Sequence, residues 1–174
     1  MKFKVIRKQK NYKNCIVCGL ENPLSVRTQF YELENKTCCS IFTFRDEHQS
    51  YPGRAHGGII GGVLDETIGR AAKLYNNDVW AVTVDMNVKF HKPTPLNVEL
   101  KCVGRIVNDR SRVFTGTGEI YLPSGEKCAS AEITYVKLAE SKIADPEAIK
   151  SEEMRIIDDV EYIDLPDEAI KECV

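Results

Sequence analysis

The triplet His56-Gly57-Gly58 opens an apolar-periodic segment. Backbone N–H groups at the start of a helix are unpaired and sit at the positive end of its dipole. A glycine there lets another molecule's carbonyl oxygen approach the amide, which is how an acyl-transfer site holds a developing oxyanion. Asp65 follows eight residues later, between Leu64 and Glu66. A carboxylate within an apolar segment is costly unless it is paired, exposed or functional, and on the residues alone both a structural and a catalytic role stay open. Glu66 lies about 100° further round a helix and suits its solvated side. Cys15-Ile-Val-Cys18-Gly19 has the spacing of half a zinc knuckle. Its other half would have to come from Cys38 and Cys39, but adjacent strand residues point to opposite faces. We therefore read it as a turn around Cys18-Gly19 and assign no metal.

These groups need elements to hold them. Ile60, Val63, Leu64, Ile68, Ala71, Ala72 and Tyr75 recur at spacings of three and four, predicting an amphipathic helix over 56–75 that stops near Asn76-Asn77. Five glycines fall within its first 14 residues. Each costs a helix interior about 1 kcal/mol relative to alanine, so a surrounding surface must pack tightly on this helix. Period-2 patterns predict strands at Leu24–Glu32 and Thr37–Arg45, joined by the polar Glu34-Asn35-Lys36. Another runs over Val79–His91, with Trp80, Val82, Val84, Met86, Val88 and Phe90 on one face and Ala81, Thr83, Asp85, Asn87, Lys89 and His91 on the other. Leu96–Val107, Val113–Leu122 and Lys127–Leu138 complete the set, the last two joined by Pro123-Ser124-Gly125. Beyond Leu138 the alternation ends, leaving a short helix at Glu147–Met154 in an otherwise loose tail. The order β-β-α-β-β-β-β with short turns excludes a doubly wound parallel sheet and predicts an α+β fold.

His56-Gly57-Gly58, Asp65, Gly69-Arg-Ala-Ala72 and Val82-Thr-Val-Asp-Met-Asn87 together resemble the hotdog-fold acyl-CoA thioesterases. The branch is the one typified by phenylacetic-acid-pathway thioesterases and the small human thioesterase superfamily members. Cys15-Ile-Val-Cys-Gly-Leu-Glu-Asn-Pro23 and Tyr51-Pro-Gly53 resemble the same branch, and the similarity runs from about residue 15 to 138. The resemblance implies a long central helix wrapped by a curved antiparallel sheet, assembled as a dimer or tetramer. It implies that Asp65 attacks an acyl-CoA thioester or activates water, that the Gly57 N–H polarises the carbonyl, and that Thr83 helps position the water. His56 is implied to cap the helix, and His56, Gly58 and Asn87 are motif residues implied to lie at the substrate. Many relatives carry Asn or Gln six or seven residues before the histidine; here Ser50 and Gln49 stand there, and Gln49 is the candidate. Coenzyme A is polyanionic, so Lys89, His91, Arg110 and Arg112 are candidates to rim the site. No other cofactor is implied. Gly57 and Asp65 are eight residues apart, about 12 Å along a helix, which calls for one thioester to be held between Gly57 of one chain and Asp65 of another.

The 174 residues carry a net charge of −2, with 43% hydrophobic and 29% charged residues, an ordinary globular composition. No stretch is long and apolar enough for a membrane span, and the charged N-terminus does not read as a secretory signal. Seven cysteines without such a signal predict reduced thiols in a cytoplasm. Residues 140–174 hold 12 acids and four bases, a charge of −8, which leaves 1–139 at +6. Six bases fall in the first 13 residues, where there is no acid. The chain thus divides into a basic arm at 1–14, a hotdog-like domain at 15–139 and an acidic extension at 140–174. The arm and tail read as solvated charge, and the basic body as suited to an anionic ligand; nucleic acid and membrane are not expected partners. The competing functions are a non-catalytic acyl-CoA-binding regulator and a hotdog acyl-thioester hydratase or dehydratase.

Overall fold

In the computed structural model, which describes residues 1–171, ten strands and three α-helices follow one another in the order β1–β4, α1, β5–β8, α2, β9, β10, α3. Cys173, one of the seven cysteines, lies outside the described residues. Strands β1 (Lys2–Lys8), β3 (Gln29–Leu33), β4 (Cys38–Thr43), β5 (Ala81–Phe90), β6 (Glu99–Asp109), β7 (Val113–Tyr121), β8 (Lys127–Lys137) and β10 (Tyr162–Asp164) form one sheet in the order β10-β1-β3-β4-β6-β7-β8-β5, each neighbouring pair antiparallel. β2 (Asn11–Tyr12) pairs with β9 (Glu153–Met154) apart from it. Helix α1 spans Gly57–Ala71 and continues as a 3-10 turn over Ala72–Leu74, a little short of the predicted end. The architecture is the α+β hotdog arrangement, a long helix lying against a sheet.

The apolar stripe of α1, Ile60, Val63, Leu64 and Ile68, is buried in one core with Phe30, Phe42, Leu100, Phe114, Ile120 and Ile133 of the sheet and Phe44 just beyond β4. Three sheet glycines set how closely it packs. A Cβ on Gly104 would stand 2.9 Å from the Thr67 carbonyl oxygen and 3.0 Å from Ile68 Cα, while Gly116 and Gly118 make room for the Ile68 side chain. On α1 itself, the row Gly57, Gly61, Asp65, Gly69 faces β5 and β8. A Cβ at Gly57 would meet Phe90, one at Gly61 would meet Met86 and Val88, and one at Gly69 would meet Tyr135. The helix glycines therefore exchange intrinsic propensity for contact, as the enclosure argument requires.

Several expectations need correction. The first strand of the predicted hairpin starts at Gln29 rather than Leu24, because residues 25–28 run as a loop against the CxxC turn, broken by Arg27 at a φ of 61°, with Val26 N–H donating to Ile16 O and Thr28 N–H to Val17 O. The second ends at Thr43 and the sixth strand starts at Glu99, both shorter than the alternation suggested. Strict alternation along 79–91 also fails. Thr83 pairs with Tyr135 but Asp85 pairs with Thr134, so Val84 is the extra residue of a β-bulge. The bulge moves Thr83 onto the same face as Met86, Val88 and Phe90, toward α1, and leaves Asp85, Asn87 and Lys89 on the other.

The arm and tail are not merely solvated. β1 joins the main sheet between β3 and β10. Lys8 pairs with Asp158 and Lys10 with Glu153, while the Asn14 amide donates to both Glu152 carboxylate oxygens. Gln9, buried, donates to Glu32 at 2.9 Å and to the Arg70 carbonyl at 3.1 Å. The predicted helix at 147–154 is α2 at Pro146–Glu152, capped by Asp145, and α3 spans Asp167–Lys171. Charge that is segregated along the chain is thus brought together in the fold. Among the described residues, no helix is long and apolar enough to cross a membrane.

Candidate active site

Asp65 and Thr83 meet. The Thr83 hydroxyl donates to Asp65 Oδ1 at 2.6 Å, a contact that exists because the β5 bulge turns Thr83 toward the helix. The Asp65 backbone carbonyl accepts from the Tyr135 hydroxyl at 2.8 Å, and the Tyr135 ring stacks on Phe114 with centroids 4.6 Å apart. Burial pushes the Asp65 carboxyl above the ordinary carboxylate range, with the Thr83 hydrogen bond opposing that shift. Burial beside Asp65 likewise pushes the Tyr135 hydroxyl up, so it is a neutral donor. A partly desolvated carboxylate, its rise opposed by the Thr83 and Tyr135 hydroxyls, has the character of a base or nucleophile.

The N-terminus of α1 is a second constellation. His56 is its cap: Nδ1 accepts the Gly58 N–H at 2.9 Å, and His56's own N–H donates to His48 O at 2.8 Å. The Gly58 amide is therefore occupied by the cap, whereas the Gly57 N–H has no hydrogen-bond acceptor among the described residues. Gly57 opens on a groove of about 550 Å³, lined also by Tyr51, Arg54, Ile60, Phe90 and His91. Buried His48, which the sequence reading passed over, fixes the loop leading into this helix: its Nδ1 accepts from Arg45 N–H and its Nε2 donates to Leu24 O.

The other predicted residues are dispersed. Gln49 Oε1 accepts the Gly53 N–H at 2.8 Å, which commits it to its own turn. Asn87 and Lys89 lie on the outer face of β5, opposite Glu132 and Ser130, and His91 Nε2 is 2.8 Å from Ser130 Oγ. Arg110 and Arg112 are exposed at the β6–β7 turn, near the Ala81 end of β5; His91 and Gly57 are at its Phe90 end. Within one chain the Gly57 and Asp65 constellations are thus separate. A cavity of about 520 Å³ lined by Arg7, Lys10, Lys73 and Trp80 belongs to the region between arm and tail, away from both.

One cluster combines residues that the sequence reading kept apart. Cys15, Cys18 and Glu66 each bring a ligand atom within 4.8 Å of the others. The six described cysteines are all free thiols.

The thioesterase superfamily model matches residues 52–129. Among solved structures, a protein described as belonging to the thioesterase superfamily is 27% identical, with a TM-score of 0.65, over 71% of this chain and 60% of that one. The chain thus spans less than two thirds of that relative's length. The Escherichia coli PaaI protein from the phenylacetic acid degradation operon superposes with a TM-score of 0.60 at 12% identity, covering 66% of this chain and 81% of its own. A Haemophilus influenzae thioesterase superposes with a TM-score of 0.62 at 13% identity, covering 70% and 85%. At those identities the last two likenesses concern the fold. No curated protein matches the chain.

Proposed function

We propose that the chain, whose residues 52–129 match the thioesterase superfamily model, hydrolyses an acyl-CoA thioester to the free acid and coenzyme A. The observation that carries this reading is Asp65, a partly buried carboxylate held by Thr83 on the helix whose Gly57 N–H is left without an acceptor. In the reaction, the Gly57 N–H binds the thioester carbonyl oxygen. As general base, Asp65 takes a proton from water while the water oxygen bonds to the carbonyl carbon; the C–S bond then breaks and the thiolate leaves with that proton. As nucleophile, the carboxylate itself bonds to the carbonyl carbon and the C–S bond breaks to release the thiolate. Water then cleaves the resulting anhydride, its oxygen going to the acyl carbon, the Asp65 carboxylate leaving and the water proton passing to the thiolate. Either course needs the carboxylate ionised and the oxyanion stabilised, and neither calls on another cofactor.

The separation of Gly57 from Asp65 makes the proposed site composite. β5 is the terminal strand of the sheet, and it exposes Val84, Met86 and Phe90 at 57%, 47% and 56%. Long apolar edge strands invite pairing. A second copy paired antiparallel along β5 would bring the Phe90 end of one chain, with Gly57 and His91, beside the Ala81 end of the other, with Asp65, Thr83, Arg110 and Arg112. Cations from both chains would then flank one bound coenzyme A. The free, mostly buried cysteines suit a reducing compartment such as the cytoplasm.

The test is thiol release from a panel of short, long and aromatic acyl-CoAs by the wild type and Asp65→Asn. The reading expects wild-type turnover and a loss of about 10²- to 10⁴-fold in the variant, the range of a positioned base. Binding of acyl-CoA without turnover by the wild type would favour a regulatory protein, and equal rates would remove Asp65 from the reaction.

A further inference from the structure

We propose that Cys15, Cys18 and Glu66 form a site for a zinc-class divalent metal ion, held between the CxxC turn and α1. The turn is shaped for thiolate chemistry. Cys15 Sγ accepts the backbone N–H of Val17 at 3.3 Å and of Cys18 at 3.4 Å, so two amide dipoles favour a negative sulfur there. Cys15 Sγ is 3.3 Å from Glu66 Oε2, and the three ligand atoms lie within 4.8 Å of one another. Tetrahedral zinc, with bonds of about 2.3 Å to sulfur and about 2.0 Å to oxygen, separates two sulfurs by roughly 3.8 Å and a sulfur from an oxygen by roughly 3.5 Å. Closure onto an ion therefore needs side-chain adjustment of about an ångström, within the reach of a rotamer change.

The helix is built to bring Glu66 to this position. Gly62, one turn earlier on the same face, lets the turn approach: a Cβ there would lie 3.3 Å from Val17 Cγ2. Arg70, one turn later, donates Nε and Nη2 to Glu66 Oε1 at 2.9 and 2.7 Å, leaving Oε2 aimed at Cys15. Arg70 Nη2 also lies 3.4 Å from Cys18 Sγ, the kind of outer hydrogen bond that orients metal ligands and eases the charge on a bound thiolate. The charges balance. Two thiols with Glu66 and Arg70 sum to zero, and so do two thiolates with Glu66, Arg70 and a divalent cation. Each ion that enters displaces two thiol protons to solvent, forming two metal–sulfur bonds with no change in net charge or oxidation state. Two thiolates and one carboxylate favour zinc over magnesium or calcium. Half-exposed Cys15 leaves a way in from solvent, while Cys18 is fully buried.

The test uses the full chain, stripped of metal under reducing conditions and titrated with Zn²⁺ and, separately, Co²⁺ against a chromophoric chelator. The expected result is one ion per chain, about two protons released per ion, and a thiolate-to-cobalt charge-transfer band in the near ultraviolet. Cys15→Ala should abolish that band, and Glu66→Gln should weaken zinc binding by about tenfold or more. Near-ultraviolet circular dichroism of the metal-free variants checks that their packing is intact. Failure of the wild type to hold zinc against the chelator would overturn the proposal, and so would wild-type affinity in Glu66→Gln. A Cys15–Cys18 disulfide in the peptide map of freshly isolated protein, with no metal bound after reduction, would replace it with a redox pair.

Discussion

Replacing Thr83 with valine keeps the side-chain shape and removes a single donor, the hydroxyl 2.6 Å from Asp65 Oδ1. A hydrogen bond to a charged group contributes about 1.5–3 kcal/mol. Thr83 is exposed, so water takes over part of the lost interaction and the lower end applies, about 1.5 kcal/mol. At about 1.4 kcal/mol per decade, this is roughly a tenfold loss of the ionised carboxylate wherever protonation limits the rate. Burial already holds the Asp65 carboxyl above its ordinary range, and losing Thr83 removes an interaction that opposes the shift. The acid limb of kcat/KM against pH should therefore move to higher pH in Thr83→Val. The rate on that limb should fall about tenfold, the deficit should narrow toward the plateau, and Thr83→Ser should restore the wild-type profile. The assay is thiol release from one acyl-CoA across the acid limb and the plateau of the wild-type pH profile. Superimposable profiles for wild type and Thr83→Val, with both chains folded, would refute the reasoning.

Gly104→Ala places a Cβ against backbone atoms of Thr67 and Ile68 that cannot rotate away, so chemical denaturation should show a loss of about 3 kcal/mol. Met86→Lys puts a charge on the free edge of β5; light scattering should find a dimer for the wild type and a monomer for the variant. Because burial raises the Asp65 pKa in the folded state, the favourable protonated state is fully present below the ordinary value and is lost as pH rises through the folded one. Asp65→Asn should accordingly be more stable than the wild type at neutral pH, with the gap closing below pH 3.8, as read from denaturation midpoints at the two pH values.

The parts of the fold that follow from local pattern were readable in the sequence: the apolar stripe of α1, the β7–β8 hairpin at Pro123-Ser124-Gly125, and the need to enclose a helix with five glycines. The parts that depend on pairing between distant segments were not. The charges of residues 2–10 read as a solvated arm because the acids that neutralise Lys8 and Lys10 lie more than 140 positions later. At the candidate site, Asp65 and Gly57 stood out by type and place on the helix. The orientation of Thr83 did not follow from alternation, since one inserted residue at Val84 reverses it. Glu66 was read as a solvated neighbour because nothing local links it to Cys15, 51 residues earlier. A spacing signal did exist: Gly62, Glu66 and Arg70 recur every four residues, marking a helix face shaped to receive another segment.

The composite site is tested most directly by mixing two inactive chains. Gly57→Pro deletes the N–H at the first helical position, where proline is tolerated, and His56 already has the extended φ of −70° and ψ of 134° that a following proline requires. The added ring meets the end of the exposed Phe90 side chain, which is free to turn. Each homodimer, Gly57→Pro or Asp65→Asn, should be inactive. After denaturation and refolding of an equimolar mixture, random pairing makes half of the dimers mixed, each with one site that has both Asp65 and the Gly57 N–H. The account predicts recovery to about one quarter of wild-type activity. A refolded mixture no more active than its two parents would contradict it.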